Sequence, residues 1–248
     1  MLKVYHYLAN KFEEMMRSVY MNASQSRVNR IINRLPSGSV LAALLPSQLS
    51  SIENFLRDGG NDRLFGKLEI TPSDLTVVLG GYLGDSAHEY RSRFDCSVLV
   101  VEPVPEYLNS LTKRFSNNPK VKILDAAVGE NDGFLSLTLK CDGTSAFLDG
   151  PRINVRQIDI AKVIAECSRD QKIAVLELNI EGSEYGVLRR LLKTEYISRC
   201  TTVLIQFHEI NFESEIGRAE IRSALNRTHN EVFNYPWVWE RWDLIKRN

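Results

Sequence analysis

The stretch Leu75-Thr-Val-Val-Leu-Gly-Gly-Tyr-Leu-Gly-Asp85 constrains this chain more than any other. Its apolar half reads as a buried strand ending at Leu79. Gly80 and Gly81 then let the backbone turn sharply and approach a ligand closely, and Gly84 allows tight packing where a helix begins. The segment from Asp85 to Phe94 reads as that helix, with Asp85 or Ser86 capping its start. Strand, glycine turn and helix in this order form the layout of a dinucleotide or adenosyl-cofactor site, although the turn alone is a generic signal.

A second apolar run, Cys96 to Val101, has the unbroken character of a strand buried on both faces of a parallel sheet. Glu102 closes it about 20 residues beyond the glycine turn, where an acidic side chain accepts hydrogen bonds from ribose hydroxyls. A surface glutamate before Pro103 is the blander alternative, and the spacing favours ribose binding. Val121 to Val128 reads as a third strand, with Asp125 and Ala126 offering a polar-edged, small-walled place for an adenine. Gly129 to Gly133 is strong turn chemistry, and Phe134 to Leu139 alternates as one arm of a hairpin. Cys141 to Pro151 reads as loop, Ile153 to Ile158 alternates again, and Asp159 caps a short helix running to Cys167.

The fourth parallel strand is expected at Ile173 to Ile180, followed by an amphipathic helix carrying Tyr185, Leu188, Leu191 and Leu192. Asn179 and Glu181, spaced by two, are expected on the same side of an extended chain, facing the crevice beyond the strand. A fifth strand, Thr202 to Phe207, delivers His208 and Glu209 to the same sheet edge, where open parallel sheets bind ligands. A helix over Ile221 to Arg227 precedes a terminal antiparallel hairpin, in which Val232, Leu244 and the tryptophans occupy the inward positions. Alternation of helix and strand from Leu75 onward predicts an α/β fold with a mainly parallel sheet.

Residues 1–69 read as an irregular helical N-terminal extension and 70–248 as the main domain. Packing onto that domain accounts for the apolar spacing of the extension; a lid over a substrate and a homodimer face are the alternatives. With 31 basic and 31 acidic residues, the chain lacks the charge of a protein that holds nucleic acid by its phosphates, so no nucleic acid partner is expected. Cys96, Cys141, Cys167 and Cys200 show neither zinc-ligand nor disulfide-framework spacing, which fits a reducing compartment. The N-terminus reads as neither signal peptide nor membrane span, so a soluble, cytoplasmic protein is expected. His88 and His229 read as surface residues.

Four segments between Leu75 and His208 resemble the FkbM-type methyltransferases, a branch of the class I S-adenosylmethionine-dependent enzymes. Val78-Leu-Gly-Gly-Tyr-Leu-Gly-Asp85 looks like the glycine motif, Val101-Glu-Pro-Val-Pro105 like the ribose-binding strand end, Val155-Arg-Gln-Ile-Asp159 like the Leu-Asp step, and Leu178-Asn-Ile-Glu-Gly-Ser-Glu184 like the Asp-x-Glu-Gly-x-Glu signature. The resemblance implies a Rossmann-like, mainly parallel seven-stranded sheet with an antiparallel last strand. It implies S-adenosylmethionine as cofactor and O-methylation of a sugar or glycosylated small molecule. Carried over by position, Gly80, Gly81, Tyr82 and Gly84 would line the methionine and ribose, Glu102 with Pro103 the ribose hydroxyls, and Asp125 with Ala126 the adenine. Asn179, Glu181 and His208 would lie near the transferred methyl.

The sequence departs from the family pattern where Val78 replaces an Asp, where Tyr82 replaces an Asn, and where Glu177-Leu-Asn179 replaces Lys-Ile-Asp. These departures leave two alternatives to a sugar O-methyltransferase: a non-catalytic scaffold that kept the fold, supported by Val78 and Asn179, and a nicotinamide-dependent oxidoreductase, disfavoured by the Glu-Gly-x-Glu segment. His208 is the expected general base, because imidazole titrates near neutral pH, and Glu181 is expected to orient it or to accept the proton itself. Glu184 is read as a dipole partner at its helix start. Asp159, Glu181 and Glu184 supply carboxylates from which a divalent-metal site could be assembled, but no ligand spacing calls for a metal.

Overall fold

The computed structural model describes residues 50–140, 143–145, 152–211 and 213–246. The expectations for Pro36 to Ser39 and for the lid or dimer role of the first 49 residues lie outside these, as does most of the loop from Cys141 to Pro151. Within the described part of the expected extension, helix α1 spans residues 50–57 and α2 spans Asn61–Phe65. Ile52, Phe55, Leu64, Phe65 and Leu68 are buried in one cluster with Val78, Tyr90, Val98 and Leu111. Arg241 fastens the chain here, donating from Nη1 to Gly66 O at 2.8 Å and from Nη2 to Lys67 O at 3.0 Å.

The glycine stretch contributes β1 (Leu75–Leu79) and α3 (Asp85–Phe94), followed by β2 (Ser97–Glu102), α4 (Pro105–Arg114) and β3 (Val121–Asp125). All five residues of β1 are buried, because the strand lies between β2 and β8 (Ile173–Leu178) and is covered by helices on both faces. Val77 and Leu79 face a cluster with Ile160, Leu188 and Ile221, whereas Val78 faces the cluster around Phe55 and Tyr90. Burial of each such aliphatic side chain contributes about 1.5–3 kcal/mol. Neither Asp85 nor Ser86 caps α3: the N-cap is Gly84, held at φ 88, and no side chain bonds there.

The run from Val121 to Val128 is not one strand. It breaks at Ala126, and β4 (Ala127–Gly129) leaves for a second sheet with β5 (Gly133–Lys140), β6 (Gly143–Ser145) and β7 (Arg152–Asp159), in the order β4-β7-β5-β6. Helix α5 (Ile160–Asp170) then leads to β8, α6 (Glu184–Lys193), β9 (Cys200–Ile205), α7 (Ser214–Leu225), β10 (His229–Tyr235) and β11 (Trp239–Leu244). The helix expected from Ile221 therefore starts earlier, at Ser214.

The main sheet has seven strands in the order β10-β11-β9-β8-β1-β2-β3. The pairs β3–β2, β2–β1, β1–β8 and β8–β9 are parallel, and the last strand, β11, runs antiparallel between β9 and β10. This is the expected Rossmann-like arrangement. Strand order reverses between β1 and β8, which opens a crevice at their C-terminal ends. In the terminal hairpin a register shift between Glu231 and Phe233 turns Val232 outward, 44% exposed, and Phe233 and Tyr235 inward. His229 is not on the surface. It is fully buried, with Nε2 3.1 Å from Cys200 O and Nδ1 2.8 Å from the Thr228 hydroxyl.

Candidate active site at the strand ends

The glycine turn is shaped first by the chain's own packing. At Gly80 φ is +88°, and a Cβ there would lie 1.9 Å from Asn179 O, so only glycine lets the end of β1 lie against the end of β8. A Cβ on Gly81 would meet Val100 Cγ1 at 2.3 Å, and one on Gly84 would meet the Phe115 ring at 2.7 Å. Tyr82 follows with φ 45° and its ring exposed, packed edge-on against Tyr107 with centroids 4.6 Å apart. Tyr107 on α4 was not among the expected site residues; its place one turn into the helix after Glu102-Pro103 was the available signal.

Glu102 is buried at the end of β2, and its carboxylate staples this turn. Oε2 accepts from Tyr82 N and Oε1 from Val104 N, both at 2.9 Å. Burial raises its pKa above the usual carboxylate value, opposed by hydrogen bonds from the amides of Tyr82, Val104 and Gly81. Pro103 is half-buried beside it. Asp125 lies opposite Glu102 in the β2–β3 register and is exposed, while Ala126 is fully buried.

The end of β8 differs from the extended chain expected. The strand stops at Leu178, and Glu181 and Gly182 take φ values of 52° and 102°, so spacing by two does not place Asn179 and Glu181 on one pleat. Asn179 Oδ1 is buried with no hydrogen-bond partner among the described residues, in the segment that Gly80 packs against. Glu177 sits on the opposite face of the sheet, where it accepts from the Tyr90 hydroxyl at 2.7 Å, and burial raises its pKa.

His208, just past β9, is brought together with Glu181 of the turn after β8 and Glu184 at the start of α6. Its Nδ1 is 3.0 Å from Glu184 Oε1, and its Nε2 is 3.6 Å from Glu181 Oε2. Glu184 is therefore more than a dipole partner. Its fully buried carboxylate also accepts from Ile180 N at 2.7 Å and Gly182 N at 2.9 Å. Tyr185 donates from its hydroxyl to His208 O at 2.8 Å, and burial pushes the Tyr185 pKa up to about 12. The sequence placed Glu184 at a helix start, where a dipole role suffices; the bend at Glu181 that folds the carboxylate back toward His208 had no signal in the spacing.

Beside this cluster a cleft of about 420 Å³ opens among Glu130, Gln157, Ser183, Tyr185, Arg189 and Asn211. Its lining mixes carboxylate, amide, hydroxyl and guanidinium groups with an aromatic ring. Asp159 takes no part: it caps α5 by accepting from Ala161 N at 2.9 Å and pairs with Arg190 through both oxygens, at 3.0 and 2.6 Å. Among the described residues, no group of three or more His, Cys, Asp and Glu side chains is arranged to hold a metal ion, and no helix is long and apolar enough to cross a membrane.

A sequence model of the FkbM methyltransferase domain matches residues 80–235, which span the glycine turn, both glutamates and His208. A search of curated proteins returns no match. Among solved structures, the chain resembles a protein from Clostridium thermocellum described as an rRNA methylase, at 10% identity over 76% of this chain and 96% of that one, with a TM-score of 0.49. It also resembles an RNA methyltransferase from Salinibacter ruber in complex with S-adenosylhomocysteine, at 12% identity over 75% of this chain and 91% of that one, with a TM-score of 0.39.

Proposed function

Since the chain belongs to the FkbM family of S-adenosylmethionine-dependent methyltransferases, we propose that it methylates a hydroxyl of a sugar or glycosylated small molecule, with His208 as general base. The residues at the crevice fit the cofactor. Asn179 Oδ1, buried and unpartnered, is an acceptor suited to an ammonium group, and the Gly80–Tyr82 backbone with Glu102, Pro103, Asp125 and Ala126 would hold the adenosine. Position 78 supplies no acidic group, because Val78 fills the core. When bound, S-adenosylmethionine supplies an electrophilic methyl on a sulfonium.

The observation that carries the proposal is the His208 imidazole held at the crevice between Glu184 and Glu181. A sugar hydroxyl keeps its proton at neutral pH, so a positioned imidazole that accepts it contributes about 10²–10⁴-fold. Glu181 lies where it would steady the resulting imidazolium. The adjoining cleft, through Tyr185 and the paired donors and acceptors of Glu130, Gln157 and Asn211, suits a polyhydroxylated acceptor whose hydroxyls both give and accept hydrogen bonds. A cytoplasmic location belongs to the same proposal; Cys96, Cys167 and Cys200 are free thiols.

The test is methyl transfer from ¹³C-methyl-labelled cofactor to a panel of saccharides, glycosylated small molecules, phenols and RNA, followed by NMR of the products. Label is expected as methoxy carbon on sugars, falling by about 10²–10⁴-fold in His208→Ala. Label confined to RNA, or undiminished turnover in that variant, would contradict the proposal.

A further inference from the structure

We propose that Glu184 is a positioning residue, which holds His208 in the tautomer protonated on Nδ1 and so turns the lone pair of Nε2 toward Glu181 and the crevice. The inference rests on the reading of His208 as the base. Three contacts fix the carboxylate. The amides of Ile180 and Gly182 donate to Oε1 and Oε2, and the remaining reach of Oε1 is to Nδ1, at 3.0 Å. With both oxygens receiving N–H hydrogens, the carboxylate faces the ring as an acceptor, so the nitrogen beside it is the donor.

The loop is built to deliver this contact. Left-handed conformations at Glu181 and Gly182 bend the chain back immediately after β8, and Glu184, the first residue of α6, closes the bend from inside. His208 is held at its other end as well, since the Tyr185 hydroxyl bonds its carbonyl. Backbone and ring are thus both anchored to the start of α6. At 3.6 Å, Glu181 Oε2 is too far from Nε2 for a good hydrogen bond but close enough to stabilise a charge that develops there.

In the reaction Nε2 would take the hydroxyl proton as the oxygen's electron pair forms the bond to the methyl that bound S-adenosylmethionine would supply, the methyl's former bonding pair staying on sulfur. The imidazolium would then sit between two carboxylates. The division of labour follows that of a buried acid behind a histidine base, in which the acid sets the tautomer and does not itself take the proton. A purely structural Glu184 would close the loop without biasing the ring.

The two roles separate by NMR of full-length protein carrying ¹⁵N-labelled histidine, with His208 assigned by its absence in His208→Gln. The spectra are recorded where the ring is neutral and without any acceptor, so a wrong acceptor class leaves the result unaffected. His208 is expected with Nδ1 protonated and Nε2 unprotonated; the reverse pattern in the unmodified protein overturns the proposal. Glu184→Asp, one methylene shorter, is expected to lose this bias while still binding S-adenosylhomocysteine, and an unchanged tautomer in that variant also overturns it. Should Glu184→Asp not fold, the spectrum of the unmodified protein decides.

Discussion

His229 shows how a single side chain escapes a sequence pattern. It opens β10, where alternation from an inward Val232 would turn His229 outward; the bulge between Glu231 and Phe233 breaks that phase, leaving Val232 exposed and His229 buried. Nothing in the spacing marks the bulge, so a buried histidine read as a surface one. Burial holds its pKa below 6.5, partly offset by the bond to Cys200 O. As pH falls below 6.5 the unfolded chain takes up this proton first, so the contribution to stability is full above 6.5 and is lost as pH drops toward the lowered folded-state value. In urea unfolding at pH 7.5 and 5.5, His229→Gln is expected to flatten the pH dependence relative to the unmodified protein, by at most about 1.4 kcal/mol per pH unit. Parallel pH profiles would contradict this account. Glu184 escaped the sequence for a different reason. Its type and place were visible, but its partner comes from another strand, and only the fold supplies the 3.0 Å contact to His208.

At the level of elements, the strand–turn–helix unit was legible because an apolar run, closely spaced glycines and a helical segment follow one another from β1 into α3. What the glycines do was less legible. Gly80, Gly81 and Gly84 are each required by neighbouring protein atoms, so their presence is explained before any ligand is considered. Gly80→Ala is expected to lower stability by about 2 kcal/mol or more, from the left-handed backbone and the collision with Asn179 O. Gly133→Ala, whose Cβ meets nothing within 4 Å, is expected to change it by less than about 1 kcal/mol. Equal unfolding midpoints for the two variants would refute this view of the turn. The break at Ala126 was hidden because the apolar pattern resumes at once after Asp125, and the transfer from one sheet to the other is a tertiary event. The stop of β8 at Leu178 was hidden likewise, since the apolar pattern runs on to Ile180 before the left-handed turn at Glu181 and Gly182.

At the scale of the whole molecule, the sheet order does what no local pattern can. It brings the ends of β1, β2, β3, β8 and β9 to one edge, so that Gly80, Glu102, Asp125, Asn179 and His208 lie along the same side of the sheet although they are scattered along the sequence. The class, the mainly parallel sheet and its antiparallel last strand were readable because the alternation of strand and helix is regular in such folds. The cleft beside Tyr185 was not, since its walls come from a second sheet, a loop and two helix starts with no shared motif. The central claim is that this crevice is an S-adenosylmethionine site held open by Glu102, and calorimetric titration with S-adenosylhomocysteine tests it most directly. Saturable one-to-one binding to the unmodified protein, lost in Glu102→Ala, is the predicted result. No binding at millimolar ligand, or undiminished binding in the folded Glu102→Ala variant, would contradict it.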